Sequence, residues 1–272
     1  MVKICAVVVT YYPDIEILKK NIYSFITYVD KVLIWENTPS IDRDKYRIEQ
    51  DDKIEYCHGN INSISFGLNY AWNYSVSNKY THLLTMDQDS EWENFSSFLD
   101  KTVFNPQAPV GIMGPSVNDE NHNTDFFCKV LITSGMLVPI WVLNSLKGYN
   151  ENFEIDGIDS WLCCLARERG IGTYCVRGCK LVQKFGNLHQ IEVGGAKFST
   201  LDYSSKRLYE IYKSYIVLWR RFELPEELKN QLYHYLFGKW LIKILFGERD
   251  RKNKFIQIIK GIRDGFKYKL EQ

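Results

Sequence analysis

An α/β fold built on a mostly parallel, doubly wound sheet is what this 272-residue sequence predicts. Short β-branched runs alternate with stretches of helical periodicity, the pattern of strand–helix–strand crossovers. The first strands each stop in polar or small residues, where the carboxyl edge of a parallel sheet opens a ligand crevice. One run, His82-Leu-Leu-Thr-Met-Asp-Gln-Asp-Ser90, ends in two carboxylates one residue apart, and the other elements are read around it.

Ile4 to Val9 is the first central strand. It stops at Thr10-Tyr11-Tyr12-Pro13-Asp14, and Pro13 can open a helix without losing a hydrogen bond. Ile15, Leu18, Ile22, Phe25, Ile26 and Val29 then fall on one helical face. Lys31 to Trp35 is the second strand, ending at Glu36 and Asn37, and Lys53 to Tyr56 the third, followed by Cys57, His58, Gly59 and Asn60. A helix carrying Leu68, Ala71, Trp72 and Val76 leads into the strand before Asp87. On an extended backbone Asp87 and Asp89 point to one side. Two hard oxygen donors there suit a divalent cation, Mg²⁺ or Mn²⁺, that keeps open positions for phosphate oxygens. The alternative is a plain turn after a strand.

Beyond Val110 to Pro115 comes a polar stretch, Ser116 to Asp125, and then an apolar strand, Val130 to Pro139, broken by Ser134 and Gly135. Glycine there permits close backbone approach by a ligand. Asp156 and Asp159 stand at the amino-terminal edge of a cysteine-rich helix ending near Gly170, a position that helix capping alone also favours.

Composition removes several classes. No G-x-G-x-x-G follows the first strand and no G-x-x-x-x-G-K-[ST] occurs, which disfavours dinucleotide enzymes and P-loop ATPases. Seven cysteines without a C-x-x-C pair lack zinc-site spacing and predict reduced thiols in a cytoplasmic protein. Ile4 to Val9 is too short for the apolar core of a signal peptide, and no stretch has the length of a membrane span. A net charge of +1 argues against a dedicated nucleic-acid binder. It conceals an asymmetry: 18 Lys and Arg against 25 Asp and Glu up to Ser205, then 16 against 8 from Lys206.

These pieces in this order resemble glycosyltransferase family 2, enzymes of the GT-A fold, and within it the rhamnosyltransferase-like branch. The matching stretches are Val7 to Asp14, Leu33 to Asn37, Gly59-Asn60, Gly67 to Asn69, Leu83 to Ser90, Gly114-Pro115, Thr133 to Gly135 and Glu154 to Asp159. Ala166 to Gly170, Arg207 to Tyr209 and Gly261 to Gly265 also fit. The resemblance implies a catalytic domain over 1–205, with a nucleotide-sugar half (1–115) and an acceptor half (116–205), and a basic helical extension over 206–272. It implies that Thr10, Tyr11 and Pro13 line the base and that Glu36 stands where an Asp accepts from it. Asn37, Gly59, Asn60, Asn69 and Gln88 complete the donor side. Asp87 faces ribose or metal, and Asp89 holds the cation. Asp159 matches the general base, with Asp156, Ser134, Gly135 and Trp161 on the acceptor side.

The implied reaction is inverting transfer of a sugar from a nucleotide-diphospho-sugar, dTDP-rhamnose or a UDP-sugar, to a saccharide or lipid-linked acceptor in surface polysaccharide synthesis. Three positions depart. Gln183, before Gly186, replaces a metal-binding His, leaving a third ligand lacking unless His189 substitutes. Leu165 replaces an Arg, and Lys213-Ser214 an Arg-Asn pair. A non-catalytic nucleotide-sugar or carbohydrate-binding protein of the same fold is the alternative.

The tail is helical, aromatic and basic. Leu232, Tyr235, Leu236, Trp240, Ile244 and Leu245 neighbour Lys239 and Lys243; Phe255, Ile258, Ile259 and Ile262 neighbour Lys252, Lys254, Lys260, Arg263, Lys267 and Lys269. The pattern suits an interfacial helix on an anionic membrane, hence a peripheral protein of the inner membrane face. It equally suits a helical cap or a homodimer interface.

Overall fold

The computed structural model describes residues 1–49, 51–117, 125–128, 130–183, 189–193 and 195–270. The chain divides into two compact units, Met1–Glu154 with Ile158–Lys184, and Ile155–Gly157 with Phe185–Gln272. The first opens with β1 (Ile4–Thr10), α1 (Ile15–Tyr23), β2 (Lys31–Glu36), β3 (Ile54–Cys57), α2 (Ile64–Ser77) and β4 (His82–Asp87). These four strands are all parallel, in the order β3-β2-β1-β4. Their register pairs Thr10 with Glu36, Val9 with Asp87 and Trp35 with Cys57, so the polar strand ends share one sheet edge. Crossover helices cover these strands, and that is why Val8, Leu84 and Met86 are buried in runs that barely alternate.

Helix α1 begins two residues later than Pro13 suggests. Asp14 is its N-cap, Oδ1 accepting from Glu16 N (3.0 Å) and Ile17 N (3.1 Å). It also ends sooner than its apolar stripe, at Tyr23; Phe25, Ile26 and Val29 remain in the core from a tight turn.

After a two-residue turn come β5 (Ser90–Trp92), α3 (Phe95–Lys101), β6 (Gly111–Ser116), β7 (Phe126–Cys128), β8 (Met136–Pro139), α4 (Ile140–Leu146), α5 (Ile158–Glu168) and β9 (Gly172–Gln183). The sheet continues β4-β8-β6-β9-β5, with β7 on β9. Strand β8 lies antiparallel between β4 and β6, and α4 follows it at Ile140 with no connecting loop. The strand expected over 130–139 is thus confined to its last four residues.

The second unit holds the hairpin β10 (His189–Val193) and β11 (Ala196–Thr200), then α6 (Ser205–Arg221), α7 (Glu226–Phe237), α8 (Lys239–Phe246) and α9 (Arg251–Lys267). The hairpin belongs with the helices: Lys243 Nζ on α8 donates to Ser199 O (2.9 Å), and Thr200 Oγ1 to Glu248. Leu208, Ile211, Tyr212, Ile244 and Ile258 form the core here. Helices α6 and α9 approach at two glycines. A Cβ on Gly261 would stand 2.5 Å from Tyr209 O, and one on Gly265 2.8 Å from Ile216 Cβ. Among the described residues no helix is long and apolar enough to cross a membrane.

Candidate active site

Three distant segments hold Asp87 at the end of β4. Its N–H donates to Ser134 Oγ (3.1 Å), its carbonyl accepts from Asn21 Nδ2 (2.6 Å), and its Oδ2 accepts from Gln183 Nε2 (2.8 Å). Gln88 clamps the loop after β1, Oε1 accepting from Tyr11 N (2.7 Å) and Nε2 donating to Tyr11 O (3.2 Å). Asp89 follows, half-buried, in the turn to β5. The strand ends at Asp87, so side-chain alternation does not set the direction of Asp89; a reverse turn does.

The donor-side candidates differ in their surroundings, those of β1 and β2 lying at the same edge and Asn69 within α2. Thr10 is buried, with Oγ1 donating to Trp35 O (3.3 Å) and its carbonyl accepting from Asn37 N (2.8 Å). Asn37 Oδ1 accepts from Trp35 Nε1 (3.0 Å). Tyr11 and Asn60 are exposed, while Pro13 is buried. Glu36 is buried and held by Arg47, Nε to Oε1 at 3.2 Å and Nη2 to Oε2 at 3.0 Å. The Arg47 guanidinium also lies 4.9 Å from the Tyr56 ring centre. Gly59 lies against an indole: a Cβ there would meet the Trp35 ring at 2.9 Å. Asn69 is a brace, donating to Tyr149 O (2.9 Å) and Glu151 Oε1 (2.8 Å) and accepting from Tyr149 N (2.8 Å).

On the expected acceptor side, Ser134 and Gly135 support the strand end from within. Ser134 is fully buried on Asp87 N–H, and Gly135, at φ +79°, donates to Thr85 O (2.7 Å). A Cβ on Gly135 would strike Pro115 at 2.7 Å, so the close approach that required glycine is to Pro115. The Ser134 hydroxyl, the Gly135 N–H and the space beside Gly135 are thus all engaged by the fold itself.

Asp159 is half-buried in the first turn of α5, Oδ1 accepting from Ser160 N (2.7 Å) and Ser160 Oγ (3.4 Å). Trp161, one residue beyond, tilts against Phe153 with ring centres 5.4 Å apart. Asp156 is committed elsewhere. In the second unit it pairs with Arg207, Nε to Oδ2 and Nη2 to Oδ1 both at 3.3 Å, and the guanidinium stacks on Tyr203 at 4.3 Å. Burial raises the Asp156 carboxyl above its ordinary pKa, with Arg207 opposing. Gly157, at φ +89°, leaves room for Ser214, whose Cβ a side chain there would meet at 2.6 Å. The late stretches of the family resemblance are thus joints of the helical unit: Asp156 with Arg207, Gly157 with Ser214, Tyr209 with Gly261.

Of the departures, Gln183 does reach the site, through Asp87. Gly186 lies outside the described residues. His189 stands in the hairpin of the second unit, opposite Thr200. Asn21 and Arg47 were not anticipated. Asn21 left one signal, a polar residue on the apolar stripe between Leu18 and Ile22; Arg47 left none.

The donor set near Asp87 suits a hard cation. Among the described residues no group of three or more His, Cys, Asp and Glu could hold a metal, so the protein offers Asp87, Asp89 and neutral oxygens. Gln183 Oε1 and Ser90 Oγ are buried without a hydrogen-bond partner among the described residues, and the two residues are paired across β9 and β5. Oxygens alone, with few protein ligands, are what Mg²⁺ and Mn²⁺ accept when phosphate and water complete the shell.

No protein-family model matches the chain, and no curated protein matches it. Solved structures do. S. aureus TarS 1-349 in complex with UDP-GlcNAc superposes with TM-score 0.58 at 14% identity over 97% of this chain and 81% of that one. The mannosyltransferase PcManGT from Pyrobaculum calidifontis, in complex with GDP-Man and Mn²⁺, superposes with TM-score 0.60 at 11% identity over 94% and 73%. At such identities the likeness establishes the fold: the GT-A arrangement of a largely parallel sheet flanked by helices, with a helical extension.

Proposed function

We propose that the protein is an inverting glycosyltransferase of the family 2, rhamnosyltransferase-like kind. It moves a sugar from a nucleotide-diphospho-sugar, dTDP-rhamnose or a UDP-sugar, to a saccharide or lipid-linked saccharide in surface polysaccharide synthesis. One observation carries this reading: the Asp87-Gln88-Asp89 turn is bonded from four directions at the strand edge that Thr10 and Glu36 share, in a fold whose relatives hold UDP-GlcNAc and GDP-Man. So many restraints on a half-exposed polar turn suit preorganisation for a ligand. The acceptor hydroxyl oxygen attacks the anomeric carbon, Asp159 takes the hydroxyl proton, and the bond to the diphosphate oxygen breaks. A single displacement inverts the centre and releases the nucleoside diphosphate. The Ser160 N–H and hydroxyl orient one Asp159 oxygen. Asp87 and Asp89 would hold a divalent cation, which when bound stabilises charge on the leaving diphosphate.

The bond from Gln183 to Asp87 favours a second reading, a nucleotide-sugar-binding protein without turnover, because an amide occupies a carboxylate oxygen that a cation would share. Thermal shift with a panel of sugar nucleotides and Mn²⁺, followed by transfer and hydrolysis assays, separates the two. A ligand at a hundred times its Kd adds about 2.7 kcal/mol, or about 5–10 °C in Tm for a chain of this size. We expect one nucleotide class to shift Tm and to be turned over. A shift without turnover supports the binder, and no shift with any sugar nucleotide refutes both.

A further inference from the structure

Helix α9 has two dissimilar faces. Lys254, Ile258, Gly261 and Gly265 are buried at spacings of four, three and four, an inward stripe whose Ile258, Gly261 and Gly265 meet α6. The remaining face should be polar in a protein surrounded by water alone. Instead it carries Phe255, Ile256, Ile259 and Phe266, which are 48–60% exposed. Interleaved with them are the exposed Arg251, Lys252, Lys260, Arg263 and Lys267. The helix has a single acid, Asp264, half-buried and bonded by Tyr209 Oη (3.2 Å) and Arg263 Nε (2.8 Å). Alongside lies an apolar groove of about 690 Å³, lined in part by Trp219, Leu232, Tyr233, Phe237, Ile262 and Phe266. Trp219, Tyr233 and Phe237 are themselves exposed.

We propose that this face of α9 and the adjoining groove dock on the surface of an anionic lipid bilayer. Phenylalanine and isoleucine enter the acyl boundary, the lysines and arginines meet headgroup phosphates, and the groove receives a hydrocarbon chain. Charge selects this occupant. A second copy of the same face would bring the five exposed lysines and arginines of α9 against five more, with Asp264 the one acid of the helix, whereas anionic lipid supplies both the counter-charge and the apolar phase. The structure refines the sequence pattern: Ile258 and Lys254 belong to the packed stripe, and Ile256 and Phe266 join the outward one. The inference is independent of the sugar-transfer reading, since nothing in it involves the Asp87 and Asp159 region.

The test is flotation of the full chain with vesicles of phosphatidylcholine alone or mixed equally with phosphatidylglycerol. Salt is set at about 0.1 M and about 1 M, where the screening length falls from about 10 Å to about 3 Å. We expect binding to the mixed vesicles, weakened at least tenfold on neutral vesicles and at high salt. The variant Phe255→Ser/Ile256→Ser/Ile259→Ser, whose positions are exposed and whose folding is checked by circular dichroism, should lose binding at least tenfold. Lys252→Glu/Lys260→Glu/Lys267→Glu should abolish it, and Tyr233→Ser/Phe237→Ser, in the groove, should weaken it. Absence of wild-type binding to the mixed vesicles, or undiminished binding by the apolar triple variant, overturns the proposal. A wild-type dimer in sedimentation that the apolar variant dissociates, without vesicle binding, assigns the face to a second copy and overturns it too.

Discussion

Asp87 shows how a single side chain can be over-determined. Its backbone is bonded by Asn21 and Ser134 and its carboxylate by Gln183, so its position is set by segments 66, 47 and 96 residues away. Asp89 has a different task in the proposal, holding the cation. Asp89→Ala should therefore abolish Mn²⁺-dependent nucleotide binding, read by calorimetric titration, while metal-free binding stays weak and unchanged. Asp159→Asn keeps the acceptor oxygen but removes the base. Its kcat should fall by about 10² or more, the usual worth of general-base assistance, with donor affinity retained. Wild-type turnover in that variant would remove Asp159 from the mechanism. Arg47→Ala leaves Glu36 buried without its two guanidinium bonds, and urea unfolding should show a loss of about 2 kcal/mol. Sequence reading singles out the acidic pair because two carboxylates one residue apart after an apolar run are visible in local order. It missed Arg47 because a partner 11 residues from Glu36, across an irregular loop, obeys no period.

At the scale of elements, the strands β1 to β4 follow from hydrophobic runs, and their boundaries differ from the prediction by a residue or so. Strand β5, the 12-residue β9 and the hairpin β10–β11 were not predicted. Strand β9 mixes apolar residues with Arg177, Lys180 and Gln183, and its partners change along its length: β6 and β7 both pair with Tyr174–Val176, and β5 takes Leu181–Gln183. Pairing of that kind leaves no single alternation to read. Helix joints were equally hidden. Gly261→Val should push α9 off the Tyr209 carbonyl and lower the urea midpoint of the helical unit markedly. A surface change such as Lys252→Gln should leave it within about 0.5 kcal/mol. At α1, Asp14→Ala removes the acceptor of two N–H groups and should cost about 1 kcal/mol.

Across the molecule, charge is distributed by segment, −7 up to Ser205 and +8 after it. Not all of the basic tail is outward. Lys254 is buried, its ammonium bonded to Asp202 Oδ1 (2.5 Å) and Glu248 Oε2 (2.7 Å). Burial pulls its pKa down, and the bonds from Asp202 and Glu248 outweigh that and leave it above the ordinary value. Lys254→Met would strand Glu248, and we expect a loss of about 3–5 kcal/mol in unfolding free energy. The bond from Lys254 also holds the Asp202 carboxyl below its ordinary 3.8. Its contribution is therefore complete above that pH and is lost as pH falls through the lower folded value. Acid titration of the wild type should show this loss below about pH 3.8, and Lys254→Met should flatten it.

The sequence by itself determined the parallel half of the sheet, the placing of an acidic pair at its carboxyl edge, and the basic, amphipathic character of the tail. Each of these is written in local spacing, which periodicity reports directly. Only the tertiary structure decided that Ser134 and Gly135 serve the strand end, that Asp156 answers Arg207, and that α9 turns Ile258 inward and Ile259 outward. Those outcomes depend on which distant surface fills the space beside each residue, and a linear pattern carries no record of its neighbour.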